Sequence, residues 1–226
     1  MYIPKHFAVN DADECLALMQ ACPLAAVVQH TEAGLQANHI PLLVERKNDA
    51  WLIRGHVARA NAMWQAANSD VLLVFQGADA YISPNWYASK AVDHKAVPTW
   101  NYAAVHVSGR LVVHEDEAWL RTLLTDLTAE HEQQMPTPWG LNDASEAYIA
   151  ANLRALVGIE IEVKQVVGKW KVSQNHPQTN RETVCQGLRS EVGGQNETMA
   201  RMIEQFAPKE SIGFEVRQGD CGSSPQ

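Results

Sequence analysis

The sequence predicts a mainly β fold with flanking helices, a small antiparallel barrel or sandwich carrying its helices on the outside. Three observations predict it. Short runs rich in β-branched residues succeed one another from Leu24 to Phe75 and return from Val97 to His114 and from Ile159 to Val166. Amphipathic helical spacing is confined to the segments between and after these runs. The regular strand–helix alternation of a doubly wound sheet is missing, as are G-x-G-x-x-G and Walker loops.

Taken in order, Asn10 and Asp11 can cap a helix running to Ala21, in which Cys15, Leu16, Leu18 and Met19 fall at helical spacing. Strands follow at Leu24–Gln29, Gln36–Glu45, Trp51–Val57 and Val71–Phe75. Between the last two, the alanine-rich segment Ala58–Ala67 favours one short helix, because alanine loses no side-chain entropy there. Val97–His114 reads as one or two half-buried strands, with a bulge or bend at Gly109-Arg110. Glu115-Asp116-Glu117 opens a helix with Trp119, Leu120, Leu123, Leu124 and Leu127 on one face, its acids complementing the helix dipole as a solvated start. A helix over Asp143–Leu156 leads into the strand Ile159–Val166. Closing helices fall at Asn180–Leu188 and Asn196–Phe206, separated by Gly193-Gly194.

The chain has 226 residues, 46% hydrophobic and 19% charged, enough to bury one core and too apolar for a disordered chain. No internal repeat or low-complexity linker divides it, so residues 1–206 are expected to form a single domain, with a loose tail over 207–226. Eighteen basic residues against 26 acidic ones leave a net charge of −8, and no basic run appears, which excludes non-specific coating of nucleic acid. No apolar stretch approaches the roughly 20 residues that span a bilayer. The N-terminal residues lack the features of a secretory signal, so the expected location is cytoplasmic. The four cysteines (Cys15, Cys22, Cys185, Cys221) form no C-x-x-C pair, which fits reduced thiols, and no metal site is expected.

Four segments combine aromatics, amides and hydroxyls beyond what a core needs: Gly55–Asn61, Ala80–Tyr87, Val97–Tyr102 and Gly168–Asn175. Each lies at the end of an expected strand, where side chains and backbone N–H groups are free to meet a ligand. The mixture suits a planar, phosphate-bearing ligand: aromatics for a ring, Arg59 for a phosphate through its bidentate fork, and amides for ring-edge hydrogen bonds. Ion pairing with a carboxylate is the competing role for Arg59. Core or interface packing competes for Trp86, Trp100 and Tyr102, and a structural role for His56 and His106. No Ser or Cys nucleophile motif is present, so the catalytic residues stay unassigned.

Met1–Phe7, His39–Leu42, His56–Asn61, Tyr81–Tyr87, Val97–Tyr102 and Lys169–Asn175 together resemble, in order and over roughly residues 1–205, the PaiB family of FMN-binding negative transcriptional regulators. The resemblance implies the FMN-binding split-barrel fold, FMN as cofactor, a homodimer, and DNA as a partner, although no helix-turn-helix or basic stripe is visible. It implies that Arg59 meets the phosphate, with His56 and Asn61 in the same segment. By the same resemblance Ser83, Trp86, Tyr87, Trp100 and Asn101 line the flavin or its dimer-related neighbour, while Lys169, Ser173 and Gln174 close the site. The sequence departs from the family pattern at Ala62 and Ala78, each in place of a proline, and at Asn85 in place of a serine. The alternative functions are a flavin-dependent oxidoreductase of the pyridoxamine-phosphate-oxidase-like group and a haem-handling split-barrel protein using a histidine such as His6 or His106.

Overall fold

A computed structural model describes residues 1–48, 50–191 and 193–207. The elements run β1 (Ala8–Val9), α1 (Ala12–Ala21), β2 (Leu24–Thr31), β3 (Gly34–Pro41), β4 (Leu43–Lys47), β5 (Ala50–Ala58), β6 (Asp70–Ile82), α2 (Lys90–Asp93), β7 (Thr99–His114), α3 (Glu117–Glu132), α4 (Glu146–Arg154), β8 (Leu156–Lys171), α5 (Gln178–Ser190) and α6 (Asn196–Gln205). Short 3₁₀ turns occupy Lys5–Phe7, Ala62–Ala66, Pro84–Trp86 and Leu141–Asp143.

The strands form one antiparallel sheet in the order β3-β2-β6-β7-β8-β5-β4, with β1 also paired to β8. Strands β3 and β4 are the two ends of that order, yet only Leu42 separates them in the chain. A one-residue link cannot cross a flat sheet, so the sheet curls until its edges meet. Gly55 of β5 records the meeting: a Cβ there would lie 2.7 Å from Leu42 Cδ2 and 3.1 Å from Pro41 O. The edges touch without pairing, which makes the barrel split.

Alternation along the strands fills the interior. Ile53, Leu73, Phe75, Val105, Val107, Leu111, Val157 and Ile159 are fully buried, and each such side chain contributes on the order of 2 kcal/mol. Helix α1, capped by the Asp11 carboxylate accepting from Asp13 and Glu14 N–H, plugs one end with Met19 and Cys15. Cys15 and Leu18 sit where Cβ atoms would stand on Gly168 and Gly77, so those glycines admit the helix. Helix α3, capped by Asp116, lays Leu120, Leu123 and Leu127 inward, and α4 adds Ile149 and Leu153. At the far end α5 and α6 bury Val184, Leu188, Met199 and Ile203, and Trp170 meets Phe206 edge-on at 6.3 Å.

Several expected boundaries change for identifiable reasons. Gln36–Glu45 is two strands, because the chain passes from one barrel edge to the other at Leu42. The expected helix over Ala58–Ala67 shrinks to the 3₁₀ turn Ala62–Ala66: Ala58 still pairs with Leu156, and the Asn61 side chain accepts from Met63 N–H, so the turn starts only there. The strand expected at Val71–Phe75 continues to Ile82 through a register shift between Gln76 and Asp79, and the last strand runs from Leu156 to Lys171. The helix expected over Asp143–Leu156 is accordingly limited to Glu146–Arg154. Glu115 is not simply solvated, since it accepts from Arg59 Nη1 at 2.6 Å. The expected bulge is present between Ser108 and Gly109, where a Cβ would lie 2.6 Å from Glu162 O. Of the expected loose tail over 207–226, residues 208–226, Cys221 among them, lie outside the described residues; Cys15, Cys22 and Cys185 are free thiols. Among the described residues no helix is long and apolar enough to cross a membrane.

Two predictions follow from this packing. A Cβ on Gly158 would collide with the Trp119 ring, which stacks on His114 at 4.0 Å, so Gly158→Ala should lower stability by about 1–3 kcal/mol in denaturant unfolding. His56, His106 and His176 are each held below the ordinary value of 6.5, burial being the first cause for all three. The unfolded chain therefore binds more protons just below that value, and stability should fall as pH drops from 6.5; His56→Gln should flatten the slope.

Candidate functional site

The expected site residues fall into two groups. The first lies where β5 runs out. Arg59 donates from Nε to Arg154 O (3.1 Å), from Nη2 to Leu156 O (3.2 Å) and from Nη1 to Glu115 (2.6 Å), and its guanidinium lies 5.8 Å from the Trp64 ring centroid. A guanidinium has five N–H groups, so two remain, and the side chain is 40% exposed. Trp64 Nε1 donates to Arg59 O, and Asn61 Nδ2 donates to Asn38 Oδ1 at 2.8 Å, which ties the turn to β3. His56 lies three residues upstream, opposite Gly158; its Nδ1 is buried with no hydrogen-bond partner among the described residues.

The second group gathers around the other end of β8. Asn101 is buried and donates from Nδ2 to Ser173 Oγ at 2.9 Å. Ser173 has φ +63°, a left-handed conformation that L-residues avoid, and it is buried. Gln174 holds it there: its Nε2 donates to Trp170 O and its Oε1 accepts from Val172 N–H. Lys169 is buried to 7% exposure, donating to Tyr102 Oη (2.6 Å) and Tyr2 O. Tyr87 stacks on His176 at 4.8 Å, and burial pushes its hydroxyl pKa up. Ser83 accepts from Asn85 N–H and Trp86 rests on the bare face of Gly187, so both shape the turn that carries Tyr87. Trp100 stays 56% exposed, edge-on to Tyr81 at 6.0 Å, on the wall of a groove of about 700 Å³ that also meets Ser83 and Trp86.

Arg59 binds Leu156, the first residue of β8, whereas Lys171 is its last. The two groups therefore lie at opposite ends of that 16-residue strand. One chain brings Asn101, Ser173, Gln174, Tyr87 and Lys169 to one end, Ser83, Trp86 and Trp100 to the adjoining groove, and Arg59, His56 and Asn61 to the other end. Sequence reasoning passed over Lys171 and His176, which line the same cleft as Asn101 and Ser173. Strand alternation carried the signal for Lys171, two residues from Lys169 and therefore on the same face; for His176 no pattern existed.

Chemically, the first group offers a guanidinium with free donors, and the second offers exposed rings, amides and lysines. These are the groups that a planar ring carrying a phosphate requires, so the residues present fit FMN.

Comparison with known proteins agrees. The family model FMN_bind_2, described as "Putative FMN-binding domain", matches residues 1–165. The chain is similar to "Protease synthase and sporulation protein PAI 2" of Bacillus subtilis, 34% identical over 212 residues, covering 93% of this chain and all of that one. Among solved structures it resembles the FAD and heme binding protein from Mycobacterium smegmatis, with a TM-score of 0.54, 13% identity, and 73% of each chain covered. It also resembles the flavocytochrome Anf3 from Azotobacter vinelandii, with a TM-score of 0.52, 16% identity, and 75% of this chain and 72% of that chain covered. These two show the fold. The resemblance to the PaiB family read from the six motifs is thus borne out, and the chain belongs to this FMN-binding split-barrel family, whose cofactor is FMN.

Proposed function

We propose that the chain acts as a homodimer binding FMN in sites shared between protomers, and that the flavin-loaded dimer serves as a PaiB-type negative regulator of transcription. The observation that carries this reading is the separation of the two residue groups by the whole length of β8. A two-fold partner is the economical way to bring the Arg59 end of one chain to the Trp100–Asn101 end of another. An outward sheet face supports it: Leu24, Ala26 and Val28 of β2 lie beside Leu72 and Val74 of β6, apolar and partly exposed. In the shared site Arg59 would hold the phosphate, while Trp86, Tyr87, Trp100 and Asn101 would line the ring. His56 and Asn61 would brace the Arg59 turn, and Ser83, Lys169, Ser173 and Gln174 the opposite wall. FMN, when bound, supplies electron and hydride transfer; the protein supplies position and electrostatics.

The regulatory output is assigned to flavin state or a protein partner rather than to base readout. The pair α5 and α6 has the layout of two helices joined by a short turn. Its three arginines are already engaged, however: Arg189 with Glu197 and Glu204, Arg201 with Glu197, and Arg181 with His176 O. A helix presenting neutralised arginines and two glutamates repels a phosphate backbone. A second reading, a flavin-dependent oxidoreductase, is favoured by the 700 Å³ groove beside Trp100, which leaves room for a substrate.

FMN titration followed by flavin fluorescence tests the reading. Wild type should bind, Arg59→Ala should lose about 2 kcal/mol, and Glu115→Gln should tighten binding by releasing the guanidinium. Leu24→Glu with Leu72→Glu should lower the sedimentation mass and FMN affinity together; a monomer that saturates with FMN overturns the shared site. Promoter DNA retained with a steep inverse dependence on salt would replace the sensing role by direct binding. Flavin-dependent turnover of a nicotinamide cofactor without any DNA effect would favour the oxidoreductase.

A further inference from the structure

We propose that Lys171, backed by Lys169, is the charge that meets the flavin ring, so that the protein holds reduced FMN more tightly than oxidised FMN and shifts the cofactor's reduction potential upward. The inference rests on the preceding reading in placing the ring among Tyr87, Trp100 and Asn101 and the phosphate at Arg59.

Lys169 and Lys171 stand two residues apart on one face of β8. Lys169 is buried, and a lysine is almost never buried without a partner of opposite charge. Its Nζ donates to neutral oxygens, Tyr102 Oη and Tyr2 O, and lies 5.0 Å from the Tyr102 ring centroid. Lys171 Nζ donates to Thr99 Oγ1 and Trp100 O, neutral again, and one of its three N–H groups is left. Among the described residues neither ammonium has a carboxylate partner, in a chain with 26 acidic residues against 18 basic ones. The cleft beside Lys171, which Tyr87, Asn101 and Ser173 also line, continues the pattern: Lys95, His6 and His176 line it, and no Asp or Glu does among the described residues. Burial, and Lys169 after it, hold the Lys171 pKa below the ordinary lysine range; burial, Lys171 and Arg181 do the same to His176. These groups repel one another, and an anion among them relieves the repulsion.

Reduction of FMN by two electrons and one proton turns a neutral ring into an anion, with the proton on N5 and the charge spread over N1 and the neighbouring carbonyl. The Ser173 hydroxyl, whose oxygen accepts from Asn101 Nδ2, keeps its hydrogen to donate to such a ring. A hydrogen bond to a carbonyl is made in both redox states, and a group that binds two states equally shifts nothing between them. A net positive charge held partly out of water does distinguish them, because it attracts the anion and has little to attract in the neutral ring. Lys171 is therefore a tuning residue, acting on the balance between the two states of the cofactor.

The test is the midpoint potential of the FMN-loaded, full-length protein, poised with dithionite and redox dyes, beside its affinity for oxidised FMN by fluorescence. Lys171→Gln should weaken reduced FMN about tenfold relative to oxidised FMN, which for a two-electron couple is a fall of about 30 mV in potential. Lys171→Arg, which keeps the charge, should restore the wild-type potential. Arg59→Ala should weaken oxidised and reduced FMN alike and leave the potential unchanged, because the phosphate keeps its charge through the reduction. Should Lys171→Gln fail to fold, Lys95→Gln on the exposed wall of the cleft carries the comparison, with a fall in potential that shrinks in high salt. An unchanged or raised potential in the variant that carries the comparison, with FMN still bound, overturns the inference and leaves the flavoprotein reading standing. A fall that Lys171→Arg does not reverse overturns it as well, since the loss is then one of packing and not of charge. A wild type that takes up no FMN ends the flavoprotein reading and the inference with it.

Discussion

The single-residue link at Leu42 is the constraint on which the rest of the architecture depends. Two edge strands joined by one residue must lie side by side, and the five strands between them must curve to allow it. Curvature of that degree needs long, strongly twisted central strands, and β6, β7 and β8 supply it with 13, 16 and 16 residues and register shifts in β6 and β7. It also needs places where backbones approach closely. Gly55 at the seam and Gly109 at the bulge have no room for a side chain, so their identity follows from the curl rather than from any ligand.

Long strands have a functional consequence. They carry the Arg59 turn and the Lys171 cleft apart, so chemistry that the sequence places in one site is divided between two ends of a protomer. Between them β8 carries the buried Val157, Ile159, Ile161 and Trp170 together with the partly or fully exposed Glu160, Glu162, Lys164 and Gln165. The exposed apolar residues of β2 and β6 and the half-exposed rings at Tyr81 and Trp100 are surfaces that a solitary protomer leaves in water at a cost.

The fold was legible in the sequence where pattern was strong. Helix α3 followed from five apolar residues on one face, and α1 from its Asp11 cap. Strand alternation found the core of β5 and most of β7. What escaped depended on tertiary context: alanine richness over residues 58–67 suggested a helix, and pairing of Ala58 with Leu156 overrode it. The break at Leu42 was masked because the apolar residues Ile40, Leu42, Leu43 and Val44 run straight across it. The site was legible as residue types, since the motif segments contain nearly every group now found at the two ends. It was not legible as geometry, because nothing local reveals that Glu115, 56 residues downstream, reaches Arg59, or that the Ser173 backbone is left-handed.

The pairing of Arg59 with Glu115 bears on how a phosphate would be received there. An exposed ion pair of this kind contributes about 0.2–1 kcal/mol, whereas a charge-assisted hydrogen bond to a bound anion is worth about 1.5–3 kcal/mol. In the proposed site a phosphate would therefore outcompete the carboxylate for the guanidinium without having to displace the two backbone carbonyls of Arg154 and Leu156 that orient it. Those carbonyls belong to the junction of α4 and β8, so the orientation of Arg59 is set by the barrel itself. Glu115 is then a tether on the remaining freedom of the side chain, holding the fork extended before a ligand arrives. Its carboxylate would set a modest electrostatic barrier that a doubly charged group overcomes most readily, in keeping with tighter binding once Glu115 is neutralised.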